Sequence, residues 1–120
     1  MIEPLPNLPD HVLGFVASGQ VTATDYESVL IPAIESTIEK RRSVRLLYQI
    51  GPAFAGFTAG AMWDDAKVGL AHLKAWEKVA VVTDVEWIAA AVKLFGFAMP
   101  STVKVFPNAQ YADAVHWVAT

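Results

Sequence analysis

Two stretches decide how this chain folds: Val44-Arg45-Leu46-Leu47-Tyr48-Gln49-Ile50 and, further on, Lys78-Val79-Ala80-Val81-Val82-Thr83. A strand with one wet face alternates apolar and polar residues, whereas a strand covered on both faces is apolar almost throughout. Both stretches are of the second kind. They predict central strands of a sheet with cover on each side, which is the usual condition of a parallel sheet with helical crossovers.

The segments between and around them supply those crossovers. Between the two strands, Gly51-Pro52 is expected to stop the first, an apolar glycine-containing loop to lead to Thr58, and a helix to run from about Ala59 to Leu73. Upstream, Met1–Leu5 is flanked by prolines and suits an edge strand. His11–Ser18 reads as a strand ending at Gly19. Thr24 and Glu27 have capping-box spacing, and the helix they open extends to about Arg41, with Pro32 kinking or restarting it. Downstream, Asp84 is placed to cap a third helix that ends at Gly96. Thr102–Phe106 is the last strand and Asn108–Val118 the last helix. The order β-β-α-β-α-β-α-β-α describes one α/β domain over residues 1–120, with a mostly parallel central sheet of four to five strands and about four helices.

Composition limits what such a domain can do. The chain has 120 residues, of which 54% are hydrophobic and 18% charged. That much apolar surface excludes disorder. It also exceeds what a small interior needs, so part of it is expected to line a pocket, a partner interface or a membrane contact. Nine basic against twelve acidic residues leave a net charge of −3. No nucleic-acid partner is expected, because the basic run Lys40-Arg41-Arg42 with Arg45 reads as the solvated end of a helix. With no cysteine, disulfides and thiolate chemistry are excluded. The N-terminus lacks the basic and apolar regions of a signal peptide. The charge-free stretch Leu46–Trp63 is interrupted by Gly51-Pro52, Gly56 and Gly60 and is not read as a transmembrane helix. A cytoplasmic protein, peripheral at the membrane at most, is the expectation.

The order of elements and several short motifs resemble the SpoIIAA-like proteins of bacteria. Thr24-Asp25-Tyr26, Leu30-Ile31-Pro32-Ala33-Ile34-Glu35 and Arg45-Leu46-Leu47 carry the first part of the resemblance. Phe54-Ala55-Gly56-Phe57-Thr58 and Trp63-Asp64-Asp65-Ala66-Lys67 carry the middle. Glu77–Asp84, Trp87 and Val105-Phe106-Pro107 complete it. That family is similar to STAS domains, the anti-sigma-factor antagonists, and to the CRAL-TRIO lipid-binding fold. The resemblance implies a four- or five-stranded sheet, an apolar pocket and a mobile helix or loop over it.

Candidate site residues come from two places. In the third helix, Val85–Phe95, an apolar arc of roughly 180–220° is wider than packing on one sheet requires. Ile88, Val92 and Phe95 can face the sheet, which leaves Trp87, Ala91 and Leu94 to meet a ligand, a neighbouring helix or a second subunit. Phe97-Ala98-Met99 extend this surface. In the second helix and the loop before it, Phe54, Phe57, Met62 and Trp63 ride on a glycine-rich backbone, as expected of a lid over an apolar pocket or of a membrane contact. Lys67 and Lys74 share a face that favours an interface, whereas Asp64 and Asp65 oppose an anionic one. Thr58 stands where anti-sigma-factor antagonists carry a phosphorylated serine, although the residues before it, Gly56-Phe57, depart from that motif; a plain N-cap is the simpler reading.

Catalytic patterns are poor. His11, His72 and His116 fall in different elements, so no helical metal site can be written. Asp64 and Asp65 are adjacent, point about 100° apart on a helix and are read as charge at its N-terminal turn. Neither a P-loop nor a nucleophile elbow is present. The expectation is a non-enzymatic protein without metal or cofactor that binds a small apolar or amphipathic ligand of lipid or fatty-acyl type, with Trp87, Ala91 and Leu94 on one wall. The alternatives are a regulatory protein–protein switch at Thr58 and a homodimer joined through the apolar helix face.

Overall fold

In the computed structural model, which describes residues 1–71, 74–97 and 102–120, five strands form one sheet in the order β1-β2-β3-β4-β5. They are β1 (Ile2–Pro4), β2 (Leu13–Val21), β3 (Val44–Phe57), β4 (Trp76–Thr83) and β5 (Val103–Phe106). β1 pairs antiparallel with β2, and every later pair is parallel. The doubly apolar stretches are the central β3 and β4, as their composition predicts.

Each parallel pair is bridged by helix: α1 (Ala23–Asp25), a π-helical turn (Tyr26–Leu30) and α2 (Ile31–Arg41), then α3 (Ala59–Ala71), then α4 (Glu86–Phe97). Right-handed crossovers that always advance the same way along the sheet bring these helices to one face. There Tyr26, Leu30, Ile34, Ala61, Val68 and Ile88 meet Leu46, Tyr48, Ile50 and Val81 in the larger core. The other face is covered by α5 (Tyr111–Ala119), entered through a 3₁₀ turn at Asn108–Gln110. Its Ala114 and Val118 pack on Leu47, Ala80, Val82 and Phe106. Because side chains alternate along a strand, Leu46 and Leu47 serve different cores.

Several boundaries differ from the sequence reading, each for a local reason. The capping box is made by Thr22 and Asp25, not Thr24 and Glu27: the Thr22 backbone N–H donates to Asp25 Oδ2 at 2.8 Å, and the Asp25 N–H donates to Thr22 Oγ1 at 3.3 Å. The Thr22 N–H, aided by the Thr22 hydroxyl, holds the Asp25 carboxyl below its usual pKa. Pro32 does restart the helix. It has no N–H to give to the preceding turn, and the chain widens there, the Ile31 N–H reaching Tyr26 O.

β2 continues past Gly19, which adopts φ 59° at a register shift. Neither does β3 stop at Gly51-Pro52. Its pairing with β4 ends at Ile50–Thr83, so beyond that point it is an edge strand beside β2 alone, where a proline costs no ladder bond. Residues 52–57, expected to be a loop, are therefore strand, with Phe54 and Phe57 opposite Gly19 and Val21. Gly56, at φ 150°, takes a conformation that side-chain-bearing residues rarely adopt.

Thr83 rather than Asp84 meets the turn before α4, its Oγ1 accepting from the Val85 N–H at 3.0 Å. Asp84 instead accepts from the Asn108 side chain at 3.0 Å. Gly96 does not end α4 but lies buried inside it, where an added Cβ would come within 3.4 Å of Val103. Lys40, Arg41 and Arg42 do stand exposed at the C-terminal end of α2. Arg45 is drawn into β3, donating to Glu77 Oε1 at 3.0 Å and to Val118 O at 3.0 Å. Glu77's carboxyl is held below its usual pKa by that hydrogen bond.

Candidate functional site

Over the larger core the packing is incomplete. A cavity of about 390 Å³ lies between the sheet and its helices. Its floor is Leu46, Tyr48 and Ile50 of β3 with Trp76, Val79 and Val81 of β4; Val103 of β5 adds to it. Leu30 and Ile34 border it near α2, Asp65, Ala66 and Val68 on α3, and Ile88, Ala91 and Val92 on α4. Phe57, at the end of β3, also lines it. Most of these side chains are aliphatic, because β3 and β4 present their apolar residues to a crossover layer that does not fill the space above them.

Phe57 is the centre of an aromatic row. Its ring lies 4.8 Å from Phe54, 6.3 Å from Trp87 and 6.5 Å from Tyr26, the last two edge-on. Such edge contacts are favoured by the ring quadrupoles. Of the residues singled out in the sequence, Phe57 and Ala91 line the cavity directly. Phe54 and Trp87 stand behind them on Phe57. Met62, Trp63 and Leu94 lie on exposed helix surface, at 51%, 66% and 78% exposure, and Trp87 is also half open at 51%. The wide arc of α4 divides differently from the single wall of Trp87, Ala91 and Leu94 expected: Ile88 and Val92 face the core and Ala91 the cavity, Trp87 leans on Phe57, and Leu94 faces outward. The side chains of Phe95 and Phe97, and residues Ala98, Met99 and His72, lie outside the described residues.

The polar part of the cavity is what the sequence reading missed. Asp64 and Asp65 are in the second turn of α3, not at its start. Asp64 is buried, with Oδ1 3.7 Å from the Lys67 ammonium. Asp65 lines the cavity and accepts from the Tyr26 hydroxyl at 2.8 Å; the Tyr26 and Tyr48 oxygens are 3.1 Å apart. Asp65 is exposed as a residue, yet enough protein surrounds its carboxyl that desolvation raises its pKa, against the opposing effect of the Tyr26 bond. Burial pushes both tyrosine hydroxyls far above their ordinary values, so both stay protonated. A signal was there to be read: tyrosines within apolar runs need partners for their hydroxyls once buried.

Thr58 opens α3. Its Oγ1 accepts from the Ala61 N–H at 3.2 Å and its carbonyl from the Met62 N–H at 3.0 Å, while its own N–H donates to Val21 O at 2.9 Å. This is the N-cap of the simpler reading. Thr58→Ala is expected to lower stability by about 1 kcal/mol, and Thr58→Asp to restore most of it, because aspartate caps equally well and suits the helix dipole. Urea unfolding of both variants measures this. Equal losses in the two would show that the hydroxyl does not act as a cap.

His11 is tied to the end of α5, its Nε2 2.8 Å from Ala119 O, and His116 is exposed on α5. Among the described residues no group of three or more His, Asp and Glu comes together to hold a metal, and no helix is long and apolar enough to cross a membrane.

A mostly parallel five-stranded α/β sheet with its crossover helices on one face and an apolar cavity beneath them defines the class of domain. The SpoIIAA-like family model matches residues 12–119, and the chain belongs to that family. The structure is similar to the crystal structure of a protein of the DUF3478 family with a SpoIIAA-like fold from Shewanella loihica PV-4. The two share 29% sequence identity, with 98% of this chain and 92% of that one covered at a TM-score of 0.76. No curated protein matches the chain.

Proposed function

We propose that this protein is a non-enzymatic binding protein for a small apolar or amphipathic ligand of lipid type, held between the sheet and helices α3 and α4. The observation that carries the reading is the apolar cavity of about 390 Å³, a size typical of small-ligand sites. A cavity of that size in an interior that is otherwise close-packed forfeits contacts, which a bound apolar group would restore. Each Å² of apolar surface it removed from water would contribute about 25 cal/mol. No covalent step is required. The exposed Met62, Trp63, Trp87 and Leu94 extend the reading: they are apolar surface on the two helices that wall the cavity, suited to brief contact with the membrane from which such a ligand partitions. With residues 52–57 held as strand, no lid loop is invoked.

Native mass spectrometry of the freshly purified protein, followed by denaturing extraction, tests the proposal. A retained hydrophobic mass is the expected result. A ligand-free dimer that Leu94→Glu dissociates without unfolding would overturn it and assign the apolar helix surface to a subunit contact.

A further inference from the structure

We propose that the ligand's polar end is a hydrogen-bond donor, a hydroxyl or an ammonium, received by the Asp65 carboxylate, and that chains ending in an anion are rejected. This rests on the reading of the cavity as a ligand site and narrows it.

Tyr26 has one O–H, and it is given to Asp65 Oδ1 at 2.8 Å. The 3.1 Å contact between Tyr26 and Tyr48 must then use the Tyr48 proton, with the Tyr26 oxygen accepting. Both hydroxyl protons are spent inside the network. With Asp65 ionised, what the network still offers is acceptor capacity only, on the second carboxylate oxygen of Asp65 and the Tyr48 oxygen, and both residues line the cavity. Trp76 also lines the cavity and has an interaction of its own. Among the described lining residues none is Lys, Arg or His, so none of them offers a counter-charge to an anionic head beside Asp65.

The same surroundings make a donor valuable. Asp65 is an exposed residue, yet protein packed around its carboxyl raises its pKa by desolvation, against the opposing effect of the Tyr26 bond, so a donor that replaces lost solvation is favoured there. A ligand hydroxyl would supply one hydrogen bond to it, and an ammonium would add charge compensation. The rest of the ligand, an apolar chain or ring system, would occupy the aliphatic part of the cavity.

The experiment compares heads on one chain. The full-length protein is titrated with 1-octanol, octylamine and sodium octanoate at neutral pH. Trp76, in the cavity lining, serves as the fluorescence reporter, with calorimetry as the second readout. Octanol and octylamine are expected to bind at least tenfold more tightly than octanoate. Asp65→Asn, close in shape and still able to accept from Tyr26, is expected to cut the advantage of octylamine over octanoate to threefold or less, with folding checked by thermal unfolding. If octanoate binds as well as the other two, the donor assignment is overturned and the cavity reading stands. Should none of the three bind, both fall. An unchanged octylamine preference in Asp65→Asn would also overturn the assignment.

Discussion

Leu47→Ala is expected to destabilise the fold by about 3–5 kcal/mol, and Leu46→Ala, one residue away on the same strand, by about 2 kcal/mol. Leu47 is fully buried against the small cluster under α5, where Val82, Phe106, Ala114 and Val118 close around it. Truncation there loses the transfer energy of the removed groups and leaves a dry void that a sheet and a single helix cannot easily collapse. Leu46 is also buried but borders the existing cavity. Shortening it enlarges a space that is already present, so the additional void term is smaller. Against a domain stability of about 5–15 kcal/mol, the first change takes a large share. Urea unfolding of both variants gives the comparison. Equal losses would mean that the space over Leu46 is filled in solution.

The two leucines also show what a sequence can and cannot reveal here. The apolar runs of β3 and β4 identified central strands, and the intervening helices then left few arrangements of the sheet. The length of β3 was not legible, because Gly51-Pro52 reads as a stop unless one knows that β4 has already ended beside it. The capping box was misplaced by two residues for a similar reason: Thr22 and Thr24 are both followed three residues later by an acid, and only the direction of β2 selects the first. For the site, the surplus of apolar residues pointed to a space or surface to be filled, and the arc of α4 set Ala91 with Trp87 and Leu94 on the flank away from the sheet; of these three, Ala91 is the one among the described cavity-lining residues. Which large side chains would point outward depended on how α3 and α4 sit over the sheet, which no periodicity encodes. Asp65 was hidden by its neighbour. An acidic pair near the start of a helix looks like dipole compensation, and the distinction between Asp64 and Asp65 arises only when Tyr26, from a crossover far away in sequence, arrives against one of them.

Ala91→Phe is the second large effect expected, and it falls on binding rather than on stability. Ala91 lines the cavity from α4 yet remains exposed, so it stands at the open side of the space. A ring added to a well-packed core normally costs about 1–3 kcal/mol through forced rotamers. Here an unfilled volume is ready to receive it, and stability is expected to change by less than about 1 kcal/mol. The ring would occupy space the ligand needs, and affinity for 1-octanol or any co-purifying ligand is expected to fall more than tenfold. Leu94→Ser supplies the control: it lies on the same helix but outward at 78% exposure, so it should leave cavity binding unchanged while weakening any adsorption to lipid vesicles. Thermal unfolding with titration of both variants separates the outcomes. If Ala91→Phe binds like the parent, the new ring has turned to solvent and α4 is not a wall of the ligand site. If instead it binds weakly but has also lost several kcal/mol, the space is not free in solution. Only loss of binding on an intact fold agrees with a cavity kept open for a guest, in which the empty volume over Leu46, Tyr48 and Ile50 is stability given up for function.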